Sequence, residues 1–170
     1  MTARSPLAPD AFPELPALDG IRIAVVESGL RYKGRPDLML MQFVDGTQVA
    51  GVFTRSLCPS APVDWCRQHL GGGEARGVIV NAGNANAFTG KAGAEACEAV
   101  VASVADALTC RPSRIFAAST GVIGVVLPAA KLEPHITAMA ANLDGDRWAD
   151  AAQAIMTTDT FPKGTTRRVE

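Results

Sequence analysis

Between residues 77 and 119 the sequence alternates between two hydrophobic periods, and this constrains the fold more than any other feature. Gly77-Val78-Ile79-Val80-Asn81 is a short continuous apolar run, the pattern of a strand buried on both faces. From Lys91 to Leu108 the apolar positions become helical. Ala94, Cys97, Val100, Val101, Val104 and Leu108 form one stripe, while Glu95, Glu98 and Asp106 take another face. Residues 114–119, RIFAAS, read as the next strand. The prediction is a mixed α/β fold.

The flanking segments extend this reading. Residues 1–19 carry proline throughout and read as an extended arm, leaving 20–170 as the folded portion. Ile21 to Gly29 predicts a strand that stops at glycine, followed by a loop, RYKGRPD. Leu38 to Phe43 and Gln48 to Phe53, separated by Asp45, Gly46 and Thr47, predict a hairpin. A helix is expected from Ala61 or Pro62 to Gly71, with Ser60 as its N-cap. Two more helices are expected at about 131–142 and 146–156, the second with Trp148, Ala151, Ala152 and Ile155 on one side.

Composition removes several classes of function. The 170 residues fit one domain or an incomplete portion of a larger one. Lys+Arg number 16 against 17 Asp+Glu, and no basic block is present, which argues against a nucleic-acid partner. No run approaches the roughly 20 apolar residues of a membrane-spanning helix. The first twenty residues lack the apolar centre of a secretory signal, so a cytoplasmic location is expected. Cys58, Cys66, Cys97 and Cys110 have no CxxC spacing, and His69 and His135 stand alone; neither a disulfide framework nor a zinc site is expected.

Three segments could carry chemistry. NAGNANAFTG places Asn81, Asn84 and Asn86 among small residues, either as amides facing a ligand or as a loop that satisfies its own backbone. In STGVIG, Thr120 and Gly121 leave a strand, where a hydroxyl and a glycine N–H suit a developing oxyanion or a tight turn. The third segment, TTDTFPK, begins at Thr157 at a helix end, where its side chains either cap the last turn or line a pocket. No phosphate-binding GxxxxGK[ST] and no Ser/His/Asp set with a local signature occurs.

RYKGRPDL, AGVFTRS, APVDWCR, VNAGNANAFTG, ASTGVIG and IMTTDTFPK, in this order, resemble the ornithine acetyltransferase (glutamate N-acetyltransferase) family. The resemblance runs from about Ser5 to Lys163. It implies an α/β sandwich of sheets covered by helices, made as a precursor that cuts itself before a threonine into α and β chains. The freed threonine accepts the acetyl group and its own α-amino group serves as base, which needs no histidine. The implied reaction is ping-pong transfer of acetyl from N2-acetylornithine to glutamate with no metal or organic cofactor; whether acetyl-CoA also serves as donor stays open at this point.

By the same resemblance, Thr120 and Gly121 form the oxyanion hole and Thr157 contacts substrate; Asn81, Asn84 and Asn86 match the family's loop without an assigned role. The nucleophile is expected on the β chain, beyond Glu170, in an α2β2 assembly. Thr165 and Thr166 lack the hydrophobic context of the family's cleavage site, and Thr2 lies on the proline-rich arm. Val125 and Val126 stand where many relatives are more polar. The other readings are a related self-cleaving acyltransferase or hydrolase of a specialised pathway, or a non-catalytic fragment.

Overall fold

The computed structural model describes residues 4–169. Its elements are β1 (Ile21–Val26), β2 (Leu38–Phe43), α1 (Ala61–His69), β3 (Gly77–Asn84), α2 (Gly90–Ala107), β4 (Ile115–Val122), α3 (Ala129–Ala141) and α4 (Trp148–Ala154). The strands form one sheet in the order β1-β2-β3-β4. β2 runs antiparallel to both neighbours, and β3 is parallel to β4 with α2 as the crossover between them. The mixed α/β class read from the sequence is the class observed.

Each sheet face is covered by different helices. On one face Leu38, Leu40, Ile79 and Ile115 pack under Val100, Val101 and Val104 of α2 and under Leu132 and Ile136 of α3. Leu38, Leu40, Ile115, Leu132 and Ile136 are fully buried, each stabilising the fold by about 1.5–3 kcal/mol relative to exposure. On the other face α4 sets Ala151 and Ala154 against Ile23 and Met39. None of the helices among the described residues is long and apolar enough to cross a membrane.

Four expectations need correction. Gln48–Phe53 is not a strand: Gln48 makes a lone bridge to Glu74, and Val52 is fully exposed. Both edges of β2 are occupied by β1 and β3, so no edge remains for a hairpin partner. Ser60 makes no side-chain cap; its carbonyl instead accepts from Val63 N (2.9 Å) and Asp64 N (3.1 Å). α1 stops at His69, with a 3₁₀ turn over Leu70–Gly72. Ile155 lies past the end of α4 and is 43% exposed, so it does not share the buried side of that helix.

β3 also continues three residues beyond the predicted apolar run, and β4 continues to Val122. Ala82, Gly83, Asn84, Thr120 and Gly121 are thereby sheet residues. This extension carries the candidate site.

Candidate active site

Parallel pairing makes β3 and β4 end side by side, with Ala82 opposite Thr120 and Gly83 opposite Gly121. The register breaks there, since Asn84 pairs with both Thr120 and Val122. Gly121 has φ +137° and Gly83 φ +102°. A Cβ on Gly121 would stand 2.3 Å from the carbonyl carbon of Gly83 and 2.6 Å from the nitrogen of Asn84. Glycine is therefore required for two backbones to approach within a strand pair, not to close a turn.

β4 is an edge strand, and α1 covers only part of the edge. Trp65 Nε1 donates to the Ile115 carbonyl (2.8 Å). Cys66 Sγ donates to the Ala117 carbonyl (3.2 Å) and accepts from Ala117 N (3.4 Å). Backbone groups alternate along a strand, so Ser119 and Gly121 direct their N–H groups to the same side as Ala117. The peptide plane that carries the Gly121 N–H is set by Thr120, upstream of the positive φ. Gly121 is exposed, and among the described residues no hydrogen bond from α1 reaches β4 beyond Ala117.

The Thr120 side chain is half-buried and shares the sheet face of Phe116 and Ala118, whereas Ser119 points to the other face. There Ser119 Oγ donates to Asn81 Oδ1 (2.6 Å). Asn81 Nδ2 donates to the Asn84 carbonyl (2.8 Å), and Asn84 Nδ2 to the Val125 carbonyl (2.9 Å). Asn84 Oδ1 accepts from Asn86 N (2.7 Å). Asn86 Nδ2 donates to the Gly93 carbonyl (2.8 Å), while its Oδ1 accepts from Thr89 Oγ1 (3.0 Å). All three asparagines are buried, with Asn86 in the left-handed region. Of the two readings of this loop, the self-satisfied backbone describes their contacts.

Thr157 follows α4 and is half-buried. No hydrogen bond joins it to Thr120 or Gly121 among the described residues. The 27–37 loop spans the interval: Arg31 and Tyr32 lie over Gly83, Arg35 stacks on the Tyr32 ring with its guanidinium carbon 3.9 Å from the centroid, and Arg35 Nη2 donates to the Met156 carbonyl. Asp37, fully buried, shapes this loop by accepting from Ser28 N (2.6 Å) and Leu30 N (3.2 Å). The sequence shows RYKGRPD as a loop and as part of the family resemblance, with no contact role for Arg31, Tyr32, Arg35 or Asp37. Its usable signal was an Asp ending a turn-rich segment directly before an apolar strand.

The remaining candidates lie apart from this end. A cavity of about 390 Å³ between α1 and α2, lined by Trp65, Phe88, Cys97 and Glu98 among others, contains none of Thr120, Gly121 and Thr157. The candidate site is an open ledge rather than that cavity. Burial pushes the Cys97 thiol up to about 12 and raises Cys66 as well, so both remain neutral thiols. His69 packs on Trp65 and donates through Nδ1 to the Trp65 carbonyl (2.8 Å) in its matching tautomer. The hydrogen bond from Lys163 holds the Asp159 carboxyl below its ordinary range. Thr165 and Thr166 are exposed in an irregular segment, and Thr2 lies outside the described residues.

Residues 22–170 match the ArgJ family. The chain belongs to that family. The "Arginine biosynthesis bifunctional protein ArgJ" of Brucella suis is 54% identical over 165 residues, covering 97% of this chain and 40% of the relative. The protein of the same description from Rhizobium meliloti is 54% identical over 166 residues, covering 98% and 40%. The chain thus spans about 40% of the length of these ArgJ relatives, as their N-terminal portion. Among solved structures, ornithine acetyltransferase from Mycobacterium tuberculosis complexed with ornithine matches with TM-score 0.78 and 38% identity, over 83% of this chain and 77% of that one. The ArgJ protein of Bacillus halodurans matches with TM-score 0.75 and 29% identity, over 84% and 74%.

Proposed function

We propose that this chain is the α-chain portion of a glutamate N-acetyltransferase, working with a β chain of the same precursor in a cytoplasmic α2β2 assembly. The observation that carries the reading is the open edge at the end of β4, where the Gly121 N–H and the Thr120 hydroxyl stand on successive residues. A threonine of the β chain attacks the acetyl carbon of N2-acetylornithine, and its α-amino group takes the hydroxyl proton. Negative charge collects on the former carbonyl oxygen, which accepts hydrogen bonds from Thr120 Oγ and Gly121 N. Collapse of this intermediate breaks the carbon–nitrogen bond and releases ornithine, protonated at its departing nitrogen, leaving acetyl on the threonine. The α-amine of glutamate then attacks the ester carbonyl, the same two donors hold the second oxyanion, and the threonine leaves as N-acetylglutamate forms.

Thr157 holds substrate in this scheme, and the chemistry uses no metal or organic cofactor. Two features support the reading. The similarity to an ornithine acetyltransferase complexed with ornithine extends over most of the chain. Ile123, Val125 and Val126, 61%, 52% and 42% exposed just beyond β4, provide apolar surface on which a second chain can pack.

The test is acetyl transfer by the co-expressed two-chain protein, with Thr157→Ala as its probe. The variant should raise KM for N2-acetylornithine with a smaller loss in kcat. Absence of acetyl transfer from the intact wild-type assembly would remove the proposal.

A further inference from the structure

We infer that Arg35 is a positioning residue that holds Thr157 in the candidate site, an inference that rests on the substrate role proposed above for Thr157. After α4 no helix or strand is formed from Ile155 onward among the described residues, so the course of this segment depends on individual contacts. Among the described residues, two hydrogen bonds tie residues 156–160 to distant parts of the molecule. Arg35 Nη2 donates to the Met156 carbonyl, and Ser5 N donates to Thr160 Oγ1 (3.2 Å). The first acts directly on the residue of interest, because the Met156 carbonyl belongs to the same rigid peptide plane as the Thr157 nitrogen. Fixing that plane fixes the Thr157 Cα.

Arginine suits this task for a structural reason. Its guanidinium lies against the Tyr32 ring, 3.9 Å from the centroid, which restrains the plane of the fork before it meets an acceptor. The base of that fork is itself anchored. Tyr32 and Arg31 close over Gly83, whose neighbour across the sheet is Gly121. A continuous series of contacts therefore runs from the proposed oxyanion donor through Gly83, Tyr32 and Arg35 to the Thr157 peptide. Arg35 Nε is buried and has no partner among the described residues, which leaves a second donor on the fork edge shared with Nη2.

The experiment uses the intact two-chain protein and compares Arg35→Ala, Arg35→Lys, Thr157→Ala and the Arg35→Ala/Thr157→Ala double variant. Arg35→Ala should raise KM for N2-acetylornithine roughly tenfold or more, the scale of one lost charge-assisted hydrogen bond, with a smaller change in kcat. Arg35→Lys should recover part of this, since an ammonium can reach the carbonyl but cannot lie flat on the ring. The double variant should match Thr157→Ala alone, because a residue that acts through Thr157 has nothing left to position. Hydrogen exchange over residues 155–161 should accelerate in Arg35→Ala.

Wild-type KM and wild-type exchange in Arg35→Ala, beside a raised KM in Thr157→Ala, would overturn this inference and leave the proposed function standing. Additive effects in the double variant would overturn it too. Wild-type KM in Thr157→Ala would instead sink the substrate role of Thr157 and the positioning purpose with it. If Arg35→Ala does not fold, Arg35→Lys and Tyr32→Ala report on the same exchange and the same KM, and unchanged values in both count against the inference.

Discussion

Gly83 and Gly121 face each other across the ends of the two parallel strands, both at positive φ, so close that a Cβ on Gly121 would stand 2.3 Å from the Gly83 carbonyl carbon. The obstacle is backbone, and backbone at the end of a paired strand has little room to move. Gly121→Ala should destabilise the protein by about 3 kcal/mol or more, combining the steric clash with a backbone conformation foreign to alanine. Gly83→Ala should cost less. Its nearest obstacle is the Cβ of Arg31 at 2.8 Å, on a loop that can shift. Urea unfolding of both variants checks the order, and equal midpoints would refute it.

Thr120→Ala separates chemistry from structure at the neighbouring position. If its hydroxyl donates to the oxyanion, kcat should fall about 10²–10³-fold with KM within a few-fold, and both half-reactions should slow together. If Thr120 only supports the strand end, the melting temperature should drop while kcat stays near wild type. Steady-state kinetics beside a melting curve on the two-chain protein distinguish these results.

Asn86 should behave as a structural residue. Asn86→Ala removes the donor to the Gly93 carbonyl and the acceptor for Thr89 Oγ1 in a fully buried position. The expected loss is about 2–3 kcal/mol of stability. KM of the folded fraction should not change. A raised KM without loss of stability would return the asparagine loop to the list of ligand contacts.

The thiols should react in a fixed order. Cys58 is exposed and should be modified first by a thiol reagent near pH 8, whereas buried Cys66 and Cys97 should wait for unfolding. Because burial raises the Cys97 thiol from 9.0 to about 12, the native state resists its ionisation while the unfolded state does not. Stability from this group is complete below about pH 9 and is lost as the pH rises toward 12. A melting temperature that falls over that interval, and falls less in Cys97→Ala relative to its own neutral-pH value, is the expected result.

Several elements were legible in the chain because their signals are local. The stripe from Ala94 to Leu108 repeats with helical period whatever surrounds it, and the Val78-Ile79-Val80 run satisfies a doubly covered strand. Thr120 and Gly121 were visible as a hydroxyl and a glycine following a strand. The sequence by itself therefore determined the alternation of strand and helix, whereas the fold placed Thr120 and Gly121 inside β4 rather than beyond its end. Gln48–Phe53 has the same strand-like composition as β2 and forms no strand, since pairing depends on which sheet edges remain vacant. The tertiary structure alone decided this, as it decided that β3 would extend to Asn84 beside β4. It also brought Arg35 to Met156 across 121 residues of sequence. Periodicity records the face a residue presents, but a contact between loops requires the intervening sheet to have set the distance between them.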